Sequence, residues 1–135
     1  MNIYMKNYKK LNQVLTQCFG DDLSTGNHIS LESAGFMDLV VEVIGDDLIS
    51  LSHYYELNGD LMADPDMVIR LYPEQQTCEA LSFQNDSLGV YQKVYVDEKH
   101  YYPRLKRELN SFLSLWLTNI EEQGYLNNHK KGVTA

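Results

Sequence analysis

The run LISLSHYYELNGDLMADPDMVIRLYP, residues 48–73, decides the fold. Ile49, Leu51, His53, Tyr55 and Leu57 alternate with Ser50, Ser52, Tyr54 and Glu56. That period of two places the first set on one face of a strand, Leu48 to Leu57, and the second set on the other. Asn58-Gly59 is a strong signal for a tight hairpin turn. Leu61 to Pro65 reads either as an irregular connection or as the start of the next strand. Met67 to Tyr72 is strand-like, and Pro73 stops it because proline cannot donate to a sheet ladder.

Working outward, the same pattern repeats on both sides. Upstream, Gly45-Asp46-Asp47 reads as a turn. Before it, Phe36 to Ile44 reads as a strand, with Met37, Leu39, Val41 and Val43 on one face and Asp38 and Glu42 on the other. Ile29 and Leu31 suggest a further short strand. Downstream, Thr77 to Phe83 and Leu88 to Val96 complete the set. These runs lie about ten residues apart, and a parallel crossover needs roughly a dozen or more. The expectation is an antiparallel meander of five or six strands.

The period changes to about 3.6 at both ends of the chain. Tyr4, Tyr8, Leu11, Leu15 and Cys18 share one face of a helix over residues 4–19, and Gly20 stands where a left-handed cap belongs. Leu105, Leu109, Phe112, Leu113, Trp116, Leu117 and Ile120 form a broad apolar stripe on a second helix that Pro103 opens and Gly124 ends. Burying each such side chain gains about 1.5–3 kcal/mol, and one face of the sheet is the only surface large enough to receive them. The reading is therefore a single α+β domain over residues 1–125, with both helices on one face of the sheet, followed by a flexible tail over residues 126–135.

Charge is segregated along the chain. Between Asp21 and Asp86 stand fourteen acidic residues and one basic residue, Arg70, for a formal charge of −13. The residues before this block carry +3 and those after it +2, giving −8 overall. Such a balance disfavours direct contact with nucleic acid or an anionic membrane and favours a basic protein surface. No run approaches the roughly twenty apolar residues of a membrane helix, and no apolar stretch follows the basic N-terminus as in a secretory signal. Cys18 and Cys78 form no metal or redox spacing and suit a reducing compartment, so a cytoplasmic location is expected. Whether both are reduced stays open at this point.

Candidate sites follow from the same block. Asp38, Glu42, Asp46, Asp47, Glu56, Asp60, Asp64 and Asp66 are the expected protein-binding residues, spaced along strands and at turns like the charges of a polyanion. Glu56, Asp60, Asp64 and Asp66, with His53, also offer the hard ligands of a metal-dependent hydrolase, although the ordered ladder of a calcium loop is missing. Acidic turns that merely keep sheet edges from pairing are the simpler explanation of the same residues. His53 is expected to be a hydrogen-bonded structural histidine. No catalytic triad and no HExxH or G-x-S-x-G pattern is present, and no cofactor or bound metal is expected. Tyr91, Lys93 and Tyr95 alternate on one strand face, as a cross-strand ladder or a protein interface would require.

The runs LSHYYELNGDLMADPDMVIRLYP (51–73) and LSFQNDSLGVYQKVYVDE (81–98), followed by a Leu-rich helix, resemble an uncharacterised family of small proteins carried on plasmids, conjugative elements and phages of Gram-positive bacteria. The resemblance implies a setting rather than a site. Small acidic proteins of mobile elements often act as anti-restriction or anti-CRISPR factors. By that analogy the chain is expected to be a non-enzymatic acidic binding protein that occupies the basic nucleic-acid surface of a host-defence nuclease. A metal-dependent hydrolase and a homodimeric scaffold are the alternatives, and both monomer and homodimer remain open.

Overall fold

The computed structural model describes residues 1–127 and 130–131, without the side chains of Glu56, Leu61, Asn127, Lys130 and Lys131. Helix α1 spans Ile3–Phe19 and α2 spans Pro103–Glu122. Between them run β1 (His28–Leu31), β2 (Leu39–Gly45), β3 (Leu48–Leu57), β4 (Asp60–Tyr72), β5 (Thr77–Asn85) and β6 (Val90–Lys93). Each pairs antiparallel with the next, so the six strands form a meander. A two-residue strand, β7 (Lys130–Lys131), adds to the free side of β1 and gives the order β6-β5-β4-β3-β2-β1-β7. The α+β meander read from the sequence is the fold. Of the tail expected over residues 126–135, Leu126 and Asn127 close a single 3₁₀ turn begun at Tyr125, and residues 128–129 and 132–135 lie outside the described residues.

The hairpins follow from their turn residues. Asn58 and Gly59 both take positive φ, 54° and 85°, as the two-residue turn that matches strand twist requires. At the β2–β3 turn Asp47 alone does so, at 56°. Strand β4 starts at Asp60 and runs through Pro65, so the irregular stretch belongs to the strand; the register shifts between Ser52 and Tyr54 absorb it. Strand β2 begins three residues later than the apolar run suggests. A turn closed by the Phe36 amide on the Ser33 carbonyl occupies its head, and Phe36 and Met37 are exposed.

The core lies between one sheet face and the two helices. Leu39, Val41, Val43, Ile49, Leu51, Met67, Ile69, Cys78 and Ala80 meet Leu11, Val14, Leu15, Leu109, Leu113, Trp116, Leu117 and Ile120. Leu57, placed by alternation on the same face, is half exposed because β3 outruns the helices there. Gly20 caps α1 at φ 63°, its amide donating to the Thr16 carbonyl. Polar groups enter the core at the helix junction. Asn7 and Asn110 are fully buried; Asn7 donates to the Asn110 carbonyl (3.0 Å), and the Asn110 side-chain oxygen accepts the Ala80 amide of β5 (2.9 Å). Among the described residues no helix is long and apolar enough to cross a membrane.

Candidate functional site

Because both helices cover one face, the opposite face of the sheet carries no helix. Its residues follow from register. His28, Glu42, Ser50, Val68, Ser82 and Lys93 form one row across five pairings, and Ser30, Val40, Ser52, Asp66, Gln84 and Tyr91 form the next. The acidic residues of this face lie toward β1–β4. The Asp66 carboxylate accepts from the Ser50 hydroxyl (3.0 Å) and the Tyr54 hydroxyl (3.2 Å). Burial raises the Tyr54 pKa above its ordinary value; a bond with Ser52 opposes it, and the Asp66 charge and bond and the Glu42 charge add to it. Asp38 accepts from Ser30, which alternates with the buried Ile29 and Leu31 and so faces outward (3.4 Å).

The remaining expected contact residues lie elsewhere. Asp46 and Asp47 are exposed at the β2–β3 turn, at one end of the sheet. Asp60 is exposed at the β3–β4 turn, at the other end. Near that end Asp64 accepts from Asn85 (2.8 Å), and Asp86 accepts the Ala63 amide (2.7 Å). The Glu56 side chain lies outside the described residues. The seven expected residues whose side chains are described therefore divide among two sheet ends and one face rather than forming one array. Among the described residues, the ion pairs are His100–Asp97, Arg104–Glu108 and Lys106–Glu79. None of Asp38, Glu42, Asp46, Asp47, Asp60, Asp64 or Asp66 takes part in them. Also among the described residues, no three His, Cys, Asp or Glu side chains are grouped to hold a metal ion.

The β4–β6 half of the same face differs in character. A register shift between Val68 and Ile69 leaves Leu81 as an extra residue of β5, next to Ser82. Val68, Leu81, Ser82, Tyr91, Lys93 and Tyr95 line a hollow of about 240 Å³. Arg70, Tyr72, Leu81, Tyr95, Asp97 and Glu98 line an adjoining one of about 510 Å³. The alternation of Tyr91, Lys93 and Tyr95 marked this wall in the sequence. The bulge that turns Leu81 toward it left no sequence signal.

Two internal clusters brace the face. Glu79 of β5 is almost fully buried; it accepts from the Tyr95 hydroxyl and lies 3.6 Å from the Lys106 ammonium of α2. That ammonium also sits over the rings of Tyr4, Tyr95 and Tyr101, at 5.6, 5.8 and 5.0 Å. Burial opposes the Lys106 charge, but the bond to Tyr95 and the Glu79 carboxylate outweigh it and raise its pKa. Burial and the bond to Glu79 push Tyr95 up to about 12. Lys106 is thus a held cation rather than a base. At the other end, the Trp116 indole donates to His53 Nε2 (3.2 Å), so Nδ1 carries the proton and donates to the Asp38 carbonyl (3.0 Å). His53 is a bonded structural histidine on the helix side. Neither cluster was visible as a motif, because its members come from strands and helices far apart in sequence.

Residues 6–126 match the family described as Domain of unknown function (DUF6908). The chain belongs to this family. The DUF6908 unit takes in most of α1, the whole meander and α2, so the open sheet face and both bracing clusters fall inside its span, Tyr4 excepted. No match to the chain was found among curated proteins or among solved structures.

Proposed function

We propose that this chain is a non-enzymatic binding protein that sets carboxylates of its open sheet face against a basic protein surface. The observation that supports the reading is the placement of Asp38, Glu42 and Asp66 on a face without a covering helix, with no Lys or Arg paired to them among the described residues. Two of these carboxylates, Asp38 held by Ser30 and Asp66 held by Ser50 and Tyr54, keep their charge available while their geometry is fixed. The resemblance to proteins of mobile elements makes a host-defence nuclease, with its basic nucleic-acid channel, the first partner to test. The protein would occupy that channel as an inhibitor. Asp46, Asp47, Asp60 and Asp64 then serve as flanking charges at the sheet ends.

The test is capture of restriction or CRISPR nucleases by the full chain, followed by affinity measurement over a range of salt. Glu42→Lys with Asp66→Lys should abolish binding, whereas Asp46→Lys with Asp47→Lys should only weaken it. Binding should also fall as salt rises, since exposed charges are screened beyond about 8 Å at physiological ionic strength. Equal binding by the Glu42/Asp66 variant, or affinity flat across salt, defeats the reading.

A further inference from the structure

We infer that the trough between β4 and β6 is a second recognition site, for an extended segment of a partner protein that carries a carboxylate beside a bulky apolar side chain. The inference does not rest on the acidic half of the face. The trough comprises two adjoining hollows that share Leu81 and Tyr95. It follows β4 from Val68 to Tyr72, about 13 Å at roughly 3.3 Å per residue, which suits an extended segment of about four residues. It is open along the sheet surface, whereas a small-molecule site encloses most of its ligand.

Chemistry selects the occupant. Leu81, pushed outward by the bulge, and Val68 provide an apolar floor between tyrosine rings, and Tyr91 stands 65% exposed. Bulges characteristically re-aim side chains in this way, and exposed tyrosines are favoured anchors for protein partners. The bases of the trough are Arg70 and Lys93, and neither takes part in an ion pair among the described residues. On the rim, the Asp97 carboxylate is turned into its own loop, accepting from the Lys99 and His100 amides and meeting the His100 ring. Glu98 alone adds an unengaged negative charge there. Glu79, opposite Arg70 in the register, is taken up by Tyr95 and Lys106, so a guanidinium in no ion pair among the described residues, beside an apolar floor, fits a bidentate carboxylate next to an apolar anchor. The net charge of −8 repels a polyanion, so a single carboxylate is favoured over a nucleic-acid backbone.

The test is selection of phage-displayed random peptides on the immobilised full chain, with the enriched peptides resynthesised and their affinities measured. The expected consensus places Asp or Glu beside Leu, Phe, Tyr or Trp. Arg70→Gln should weaken those peptides at least about tenfold, the size of a lost charge-assisted bond. Tyr91→Ala, at an exposed position that folding does not need, should weaken them as well. No enrichment, or an acidic consensus indifferent to both variants, overturns the inference. A basic consensus, lost with Glu42→Lys and Asp66→Lys but kept with Arg70→Gln, also overturns it while upholding the acidic half.

Discussion

Asn7 and Asn110 are both fully buried at the α1–α2 junction, yet replacing them with leucine should act in opposite directions. The Asn110 side-chain oxygen is the partner of the Ala80 amide, at 2.9 Å. Its nitrogen donates to the Lys106 carbonyl at 2.8 Å, one turn back in α2. In Asn110→Leu the Ala80 amide loses its acceptor inside the core, which costs about 1–3 kcal/mol, and leucine's better helix propensity returns only about 0.5 kcal/mol. Asn7 is the reverse case. Its nitrogen donates to the Asn110 carbonyl (3.0 Å), but its side-chain oxygen meets no donor among the described residues. Asn7→Leu removes that buried oxygen and extends the apolar face of α1, so it should be neutral or stabilising by up to about 1 kcal/mol. Urea denaturation of the two variants and the double variant measures this directly. A melting shift of roughly 3–5 °C per kcal/mol is expected for a chain of this size. If Asn110→Leu stays within about 0.5 kcal/mol of the parent, or Asn7→Leu is the more harmful of the two, the hydrogen-bond accounting at this junction is wrong.

Lys106→Met should destabilise by about 3 kcal/mol, because Glu79 is left charged and buried without its cation; adding Glu79→Gln should recover most of the loss in the same denaturation assay. Tyr95 has its folded pKa raised to about 12 from 10, so its contribution to stability is complete below pH 10 and is lost as pH rises through about 12. Absorbance titration should show a late tyrosine that Tyr95→Phe removes. Burial pushes the Cys78 thiol up to about 12, so a thiol reagent at pH 8 should modify Cys78 only on unfolding, at a rate that follows the denaturation curve; prompt reaction of the folded protein at Cys78 would contradict its burial.

The fold was legible because its signals are local. Alternation, the Asn58-Gly59 turn and the apolar stripe of α2 each occupy a few neighbouring residues, and each specifies its element without tertiary help. Where the reading missed, something other than alternation decided. Phe36 and Met37 continue the apolar pattern of β2, but a turn bonded at Ser33 takes them out of the sheet. Leu57 keeps the alternation of β3 yet projects past the helices. Asn110 sits within the apolar stripe of α2 at a position polarity would place outside, because its partner is a strand thirty residues away. The candidate site was half legible. Alternation put Asp38 and Glu42 on the outward face and aligned Tyr91, Lys93 and Tyr95. The meander itself put Asp46 and Asp47 at the opposite end of the sheet from Asp60, but nothing in the sequence reported that Asp66 would join the first group or that a bulge would aim Leu81 at the tyrosines.

One-sided packing by itself says little, since antiparallel sheets commonly show one face to water. What separates this face from an ordinary solvated one is the division of charge across it. Asp38, Glu42 and Asp66 in the β1–β4 half are paired to no Lys or Arg among the described residues, while Arg70 and Lys93 stand in the β4–β6 half around an apolar floor, with Asp97 and Glu98 on its rim. A solvated face has no reason to sort its signs, because scattered charges serve solubility equally well. Sorted charges give a docking partner a direction: the basic part of its surface is drawn toward β2 and β3, and its acidic, apolar part toward β5 and β6. Turning such a partner end for end sets like charges against each other in both halves. If both proposed sites bind, orientation is a property of the whole face, and reversing the charge of either half should weaken it.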